Sequence, residues 1–330
     1  MIKKQKNILF GNCYTMIKHK AFICGIKGYS LRKEEIKFLK KYKPWGVILF
    51  SRNINTIKQT QTLTSSIKKI FKNSNYPILI DEEGGKVSRL RKFIDNSIFS
   101  NHYFGKLYLN DRNKFYLYFD VYVKQVSYLL RTLGININNV PVLDVRRGKS
   151  DIIIGNRSYS SDIKIVSKIG NICIDKFHKN RIATVIKHIP GHGLANVDSH
   201  KKLPVINENK AYLIKNDFST FKNKKSLLAM TGHLKFKKID SINNSTQSEK
   251  IVKIIRNEIK FKNLLLTDDL SMKALNGTMK DKVKKSFTAG CNLVLHCNAN
   301  LKEMKIVGEN SPIINKFVVK KTSQLIKIIS

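Results

Sequence analysis

The sequence predicts a single (β/α)8 barrel, on three observations. Apolar, β-rich runs alternate with amphipathic stretches along the chain, eight such runs occur, and no Pro- or Gly-rich linker or internal repeat divides the 330 residues. The runs are residues 21–26, 45–50, 76–80, 140–145, 183–188, 227–231, 264–268 and 292–297. Most are near-continuous in apolar side chains, as parallel strands buried on both faces require. The stretches 34–41, 57–71, 113–133, 163–178, 247–259 and 280–289 carry helical periodicity between them. Eight strand–helix units fit a barrel of this length. A doubly wound open sheet needs a Gly-rich phosphate turn after an early strand, and Cys24-Gly25-Ile26-Lys27-Gly28 lacks that spacing. Residues 93–113, polar and aromatic, read as a long loop. Residues 1–15 read as an N-terminal extension to a domain over 16–330.

Composition narrows the class. The hydrophobic content of 42% is ample for a large core. Cysteines 13, 24, 173, 291 and 297 are odd in number and form no CxxC pair, which points to reduced thiols in a cytoplasmic protein. After the basic start, the next apolar run is only Ile8-Leu9-Phe10, too short for a signal peptide. No run approaches the ~20 apolar residues of a membrane span. The net charge of +39 favours anionic partners. Its lysines are spread along the chain, however, so a compositional bias explains it better than a nucleic-acid site, and no specific nucleic-acid partner is expected. A monomer is expected.

Ionisable residues gather where the strands end, the position of active sites in such barrels. Asp81-Glu82-Glu83-Gly84-Gly85 follows the third run. Asp144 lies near the end of the fourth, Lys187-His188 ends the fifth, His233 follows the sixth, and Asp268-Asp269 closes the seventh. Charges at core depth are costly unless paired or used. The segment Lys187-His188-Ile189-Pro190-Gly191-His192-Gly193, followed by Asp198-Ser199-His200, suits a loop folding over a pocket. Asp198 and His200 are two apart, so an extended backbone points both to one side. A carboxylate beside an imidazole makes a general acid/base pair, although a lone Asp-x-His is more often an exposed polar loop. His188, His192, His200 and Asp198 are also zinc-ligating types, but their spacing matches no zinc signature, so no metal and no cofactor are expected. Asp268, rigid at the end of Leu264-Leu265-Leu266-Thr267, suits a nucleophile. Asp269 is expected to begin the next helix.

These residues carry a resemblance. Lys187 to Gly193 with Asp198-Ser199-His200, Asp81 to Gly85 with Arg89, Gly155-Asn156-Arg157-Ser158-Tyr159, and Thr267-Asp268-Asp269-Leu270-Ser271-Met272 resemble the motifs of glycoside hydrolase family 3. Trp45-Gly46-Val47-Ile48-Leu49-Phe50-Ser51-Arg52-Asn53 and Pro141-Val142-Leu143-Asp144-Val145 are similar to it as well. Within the family, the single-domain bacterial β-N-acetylhexosaminidases of peptidoglycan recycling are most similar. The resemblance implies retaining hydrolysis of N-acetylglucosamine β-1,4-linked to anhydro-N-acetylmuramic acid, often bearing a peptide. It implies Asp268 as nucleophile, His200 as acid/base with Asp198 as its partner, and Asp81, Arg89, Arg157, Lys187 and His188 as sugar-binding residues. Should His200 not fill its role, Glu82 or Glu83 is the next candidate. A β-glucosidase of the same family is the nearest rival, but such enzymes usually take their acid/base from a second domain. A non-catalytic basic protein on a degenerate barrel is the other; intact Asp268, His200 and Asp198 argue against it.

Overall fold

The computed structural model describes residues 18–148 and 154–330; the expected extension over 1–15 lies outside them. In chain order the strands are β1 (Lys20–Gly25), β2 (Pro44–Leu49), β3 (Ile78–Ile80), β4 (Ile137–Asn138), β5 (Ala183–Ile189), β6 (Val205–Ile206), β7 (Leu228–Thr231), β8 (Lys235–Phe236), β9 (Leu264–Asp269) and β10 (Leu293–His296). The helices are α1 (Lys33–Tyr42), α2 (Ile57–Phe71), α3 (Asn101–Asn110), α4 (Arg112–Thr132), α5 (Ile163–Lys179), α6 (Lys210–Lys215), α7 (Glu249–Asn257), α8 (Met279–Ala289), α9 (Leu301–Asn310) and α10 (Lys316–Ile329).

Eight parallel strands close a barrel in the order β1-β10-β9-β7-β5-β4-β3-β2, while β6 and β8 form a separate ribbon. The ring closes where Phe22 pairs with Val294 and Cys24 with His296. The strands read apolar because both faces are covered: Phe22, Ile23, Trp45, Val47, Ile48, Leu265, Leu266 and Val294 are fully buried. Each such side chain contributes about 1.5–3 kcal/mol by leaving water. The helices start where side chains accept the first free amides. Thr56 accepts from Gln59 N, Asp162 from Lys164 N and Thr278 from Asp281 N. The indole N–H of Trp45 donates to Thr322 Oγ1 (2.9 Å), tying β2 to α10. Cys24, Cys173 and Cys291 are buried free thiols. Burial pushes Cys173 and Cys291 up to about 12, too high for reactivity.

Two expectations are corrected. The fourth barrel strand is not 140–145 but Ile137–Asn138, paired to β3 through Leu79 and to β5 through Ala183. Apolar count missed it because asparagines extend the sheet here. Asn136 Oδ1 accepts from Ile78 N (2.9 Å), and Asn138 exchanges two bonds with the Glu82 backbone (3.0 and 2.9 Å). Pro141 has no N–H with which to continue a ladder, so the backbone of residues 140–145 pairs with the sheet at the single Val142–Lys187 bridge. The second correction is α3, which occupies much of the expected loop over 93–113. Ser100 caps it by accepting from Tyr103 N (3.1 Å), and Phe104 packs on Phe119 and Tyr122. Gly105, a poor helix former, hid the helix. It is glycine because a β-carbon there would run into the Tyr159 carbonyl.

Candidate active site

The strand ends open on a cavity of about 320 Å³. Asp81, Arg89, Arg157, Lys187, His188, Asp198, His200 and Asp268 all line it. Barrel closure brings together side chains drawn from four separate stretches of sequence.

At its base is an ion network. Glu83, buried, accepts from Arg157 Nε (2.8 Å) and Nη2 (2.9 Å) and from Lys187 Nζ (2.6 Å). Lys187 also reaches Asp81 Oδ1 (2.8 Å), to which Asn139 Nδ2 donates (3.1 Å). Burial alone would push Glu83 up, but the Arg157 and Lys187 cations hold it well below the ordinary carboxylate range. The same carboxylates overcome the effect of burial on Arg157 and Lys187 and keep both cations charged.

Asp144 organises the next layer. It accepts from His188 Nδ1 (2.6 Å) and from His192 N (2.7 Å). Burial raises the Asp144 carboxyl, yet its histidine contacts bring it below the usual value. An ionised carboxylate can only accept, so His188 carries its proton on Nδ1 and presents Nε2 towards Arg157 Nη2, 3.5 Å away. His192, behind it, is buried, and its Nδ1 has no hydrogen-bond partner. Burial, above all, lowers His192 to about 4, leaving it neutral.

Asp268, next to last in β9, is half-buried, and the Asp269 amide donates to its Oδ1 (2.8 Å). Burial pushes its carboxyl up, but His188, His233 and that amide bring it below the ordinary value, so it is an anion near neutral pH. Asp269 does not begin a helix, contrary to expectation. It accepts from Ser271 N (3.0 Å) and Cys297 N (3.0 Å), pinning the ends of β9 and β10 together, and α8 starts ten residues later at Met279.

The loop after β5 carries Asp198 and His200. His200 Nδ1 lies 2.9 Å from Asp198 Oδ1, which also accepts the His200 amide at 2.9 Å. By the same logic Nδ1 holds the proton and Nε2 is left for chemistry. The His200 side chain is 73% exposed, at the mouth of the cavity. Ala274 N donates to Ser199 O (3.2 Å), tying this loop to the segment after Asp268.

The family model for the glycosyl hydrolase family 3 N terminal domain matches residues 15–326. The chain belongs to this family. It is a glycoside hydrolase, and the proteins it resembles are β-hexosaminidases. It is 30% identical to the β-hexosaminidase of Haemophilus influenzae over 291 residues, covering 84% of this chain and 79% of that protein. The Haemophilus ducreyi β-hexosaminidase is 31% identical over 289 residues, covering 84% and 80%. A crystal structure of NagZ from Neisseria gonorrhoeae in complex with N-trifluoroacetyl-D-glucosamine superposes with a TM-score of 0.82 at 27% identity, covering 94% of this chain and 90% of that one.

The parts that several side chains play in this family 3 site escaped sequence reasoning. Glu83 holds both Arg157 and Lys187. The available signal was its spacing from Asp81: two apart, the pair can face one side. Glu82, with Glu83 the reserve acid/base, is buried away from the cavity. It accepts from Ser88 Oγ (3.1 Å), Arg89 N (2.6 Å), Leu90 N (3.0 Å) and Asn96 Nδ2 (3.2 Å), and so shapes the loop that presents Arg89. With Glu83 locked between two cations, neither glutamate is free to shuttle protons. The apolar walls, Phe50, Met230 and Leu295, gave no signal because they read as ordinary strand residues. Among the described residues no three His, Cys, Asp or Glu side chains form a metal cage.

Proposed function

We propose that this β-hexosaminidase is a retaining exo-β-N-acetylglucosaminidase. The reading rests on one juxtaposition: an anionic carboxylate at the end of a rigid strand and an Asp–His pair on a loop face one cavity. Asp268 attacks the anomeric carbon while His200 in its imidazolium form, held through Nδ1 by Asp198, gives its Nε2 proton to the departing oxygen. A glycosyl ester forms on Asp268 as the C–O bond to the leaving sugar breaks. His200 then takes a proton from water through Nε2 as the water oxygen attacks the anomeric carbon; the bond from that carbon to Asp268 breaks, which frees the carboxylate and releases the sugar. Asp81, Arg89, Arg157, Lys187 and His188 bind sugar hydroxyl and acyl oxygens. The ion network keeps Arg157 and Lys187 in place before substrate arrives, which reduces the ordering cost of binding. The cavity lies at the small end of ligand sites and suits a single terminal sugar.

The substrate implied by family resemblance is N-acetylglucosamine β-1,4-linked to anhydro-N-acetylmuramic acid, with or without peptide, in cytoplasmic cell-wall recycling by a monomer. The test is release of 4-nitrophenol from its β-N-acetylglucosaminide and its β-glucoside. Preference for the N-acetyl sugar is expected; preference for the glucoside favours the rival activity, and hydrolysis of neither sinks both. Asp268→Asn is expected to lower turnover by several orders of magnitude with the fold intact. A folded variant keeping more than about a tenth of wild-type turnover contradicts the nucleophile assignment.

A further inference from the structure

The two faces of α4 obey different rules. Inward, Phe115, Phe119, Val126 and Leu130 are fully buried, as an amphipathic helix requires. Outward, where polar residues belong, Leu117 is 61% exposed, Val121 56%, Tyr128 63% and Tyr118 43%. At 100° per residue these four lie within a stripe about 100° wide. Leu109, just before the helix, is 61% exposed. Single exposed apolar residues are ordinary, but an aligned patch marks an interaction surface. Among the described residues nothing covers it.

The charges around the stripe select its occupant. Lys114, Lys124 and Arg131 are exposed beside it on the same helix. Asp111 pairs with Lys114 (3.4 Å) and Asp120 with Lys124 (2.7 Å) and Lys176; the cations outnumber these acids, so the face keeps a net positive charge. A second copy of this chain, itself carrying +39, would bring like charges together across the stripe. An anionic lipid surface meets both features. Apolar side chains enter the headgroup region, tyrosine rings suit the interface, and flanking cations pair with lipid phosphates. We propose that the outer face of α4 docks this protein reversibly on an anionic bilayer surface. The proposal does not depend on the catalytic reading, since no stripe residue lines the cavity.

Flotation of the full chain with phosphatidylglycerol–phosphatidylethanolamine vesicles tests it, with phosphatidylcholine vesicles as the neutral control. Binding to the anionic vesicles at low salt, little to the neutral ones and loss at high salt are expected. The combined L117Q, V121Q and Y128Q variant keeps every cation and is expected to lower the bound fraction at least tenfold. The separate L117Q and V121Q variants are expected to give graded losses. Circular dichroism identifies the folded variants for this comparison. Absence of wild-type flotation overturns the proposal. Wild-type flotation by the folded apolar variants overturns it as well, leaving charge alone. So does sedimentation showing a dimer that the apolar variant splits, which assigns the face to a second copy.

Discussion

At the residue scale, the roles proposed for His200 and Asp268 can be separated by the leaving group. A 4-nitrophenolate departs with little protonation, so His200→Ala is expected to keep much of its first-step rate on that substrate. The second step then limits turnover, and a burst of nitrophenol follows as the glycosyl-enzyme accumulates. Azide, needing no general base, is expected to restore turnover and yield the β-glycosyl azide. Asp198→Asn is expected to show a milder version, because the ring remains while its hold through Nδ1 weakens. Equal slowing of good and poor leaving groups, without azide rescue, removes His200 from the role. His192 supports a different prediction. Its folded pKa of about 4 lies below the ordinary 6.5. An unfolded chain therefore binds the extra proton between those values, so the contribution is full above about pH 6.5 and is lost as pH falls towards 4. Between pH 7 and 5 that is about 2 kcal/mol of unfolding free energy. Urea unfolding of His192→Gln is expected to lack this part of the pH slope; an unchanged slope contradicts it.

At the element scale, α3 shows how a tertiary contact overrides propensity. Alanine is the better helix former by about 1 kcal/mol. At position 105, however, its methyl group meets the Tyr159 carbonyl, a backbone atom that cannot rotate aside. Gly105→Ala is therefore expected to destabilise the protein by about 1–3 kcal/mol, the usual cost of overpacking. A lowered urea midpoint supports this, and a raised midpoint means that α3 relaxes without cost. The loop between β3 and α3 depends on α3 as well: Asn96 beside Glu82, and Asn101 bonded to the Arg157 carbonyl (2.6 Å), connect this region to the cavity wall.

For the whole molecule, the charge of +39 sets long-range behaviour without setting the fold. Duplex DNA is expected to bind weakly, without sequence preference, and to dissociate steeply as salt rises. Fluorescence anisotropy at two salt concentrations measures this; tight, sequence-selective binding that persists at high salt contradicts it. No described helix is long and apolar enough to cross a membrane, so the bilayer contact proposed for α4 is a surface contact.

The sequence by itself determined the barrel and which ionisable residues gather at its cavity. Strands buried on both faces must be apolar throughout, and carboxylates or imidazoles closing such runs stand out against that background. Asp81, Lys187, His188 and Asp268 were legible for this reason, and Asp198 with His200 through their spacing. Where side-chain amides finish the sheet, as Asn136 and Asn138 do at β4, the apolar signal disappears. Where a glycine answers a neighbour distant in sequence, as Gly105 answers Tyr159, propensity points the wrong way. Only the tertiary structure decided which ions pair. That Glu83 clamps Arg157 and Lys187, that Asp144 orients His188, and that Glu82 serves a loop rather than the cavity depend on separations of 44 to 106 residues in some cases and on main-chain direction in others. Hydrogen bonding and charge compensation act over a few ångströms of space, and a linear pattern carries no measure of that distance.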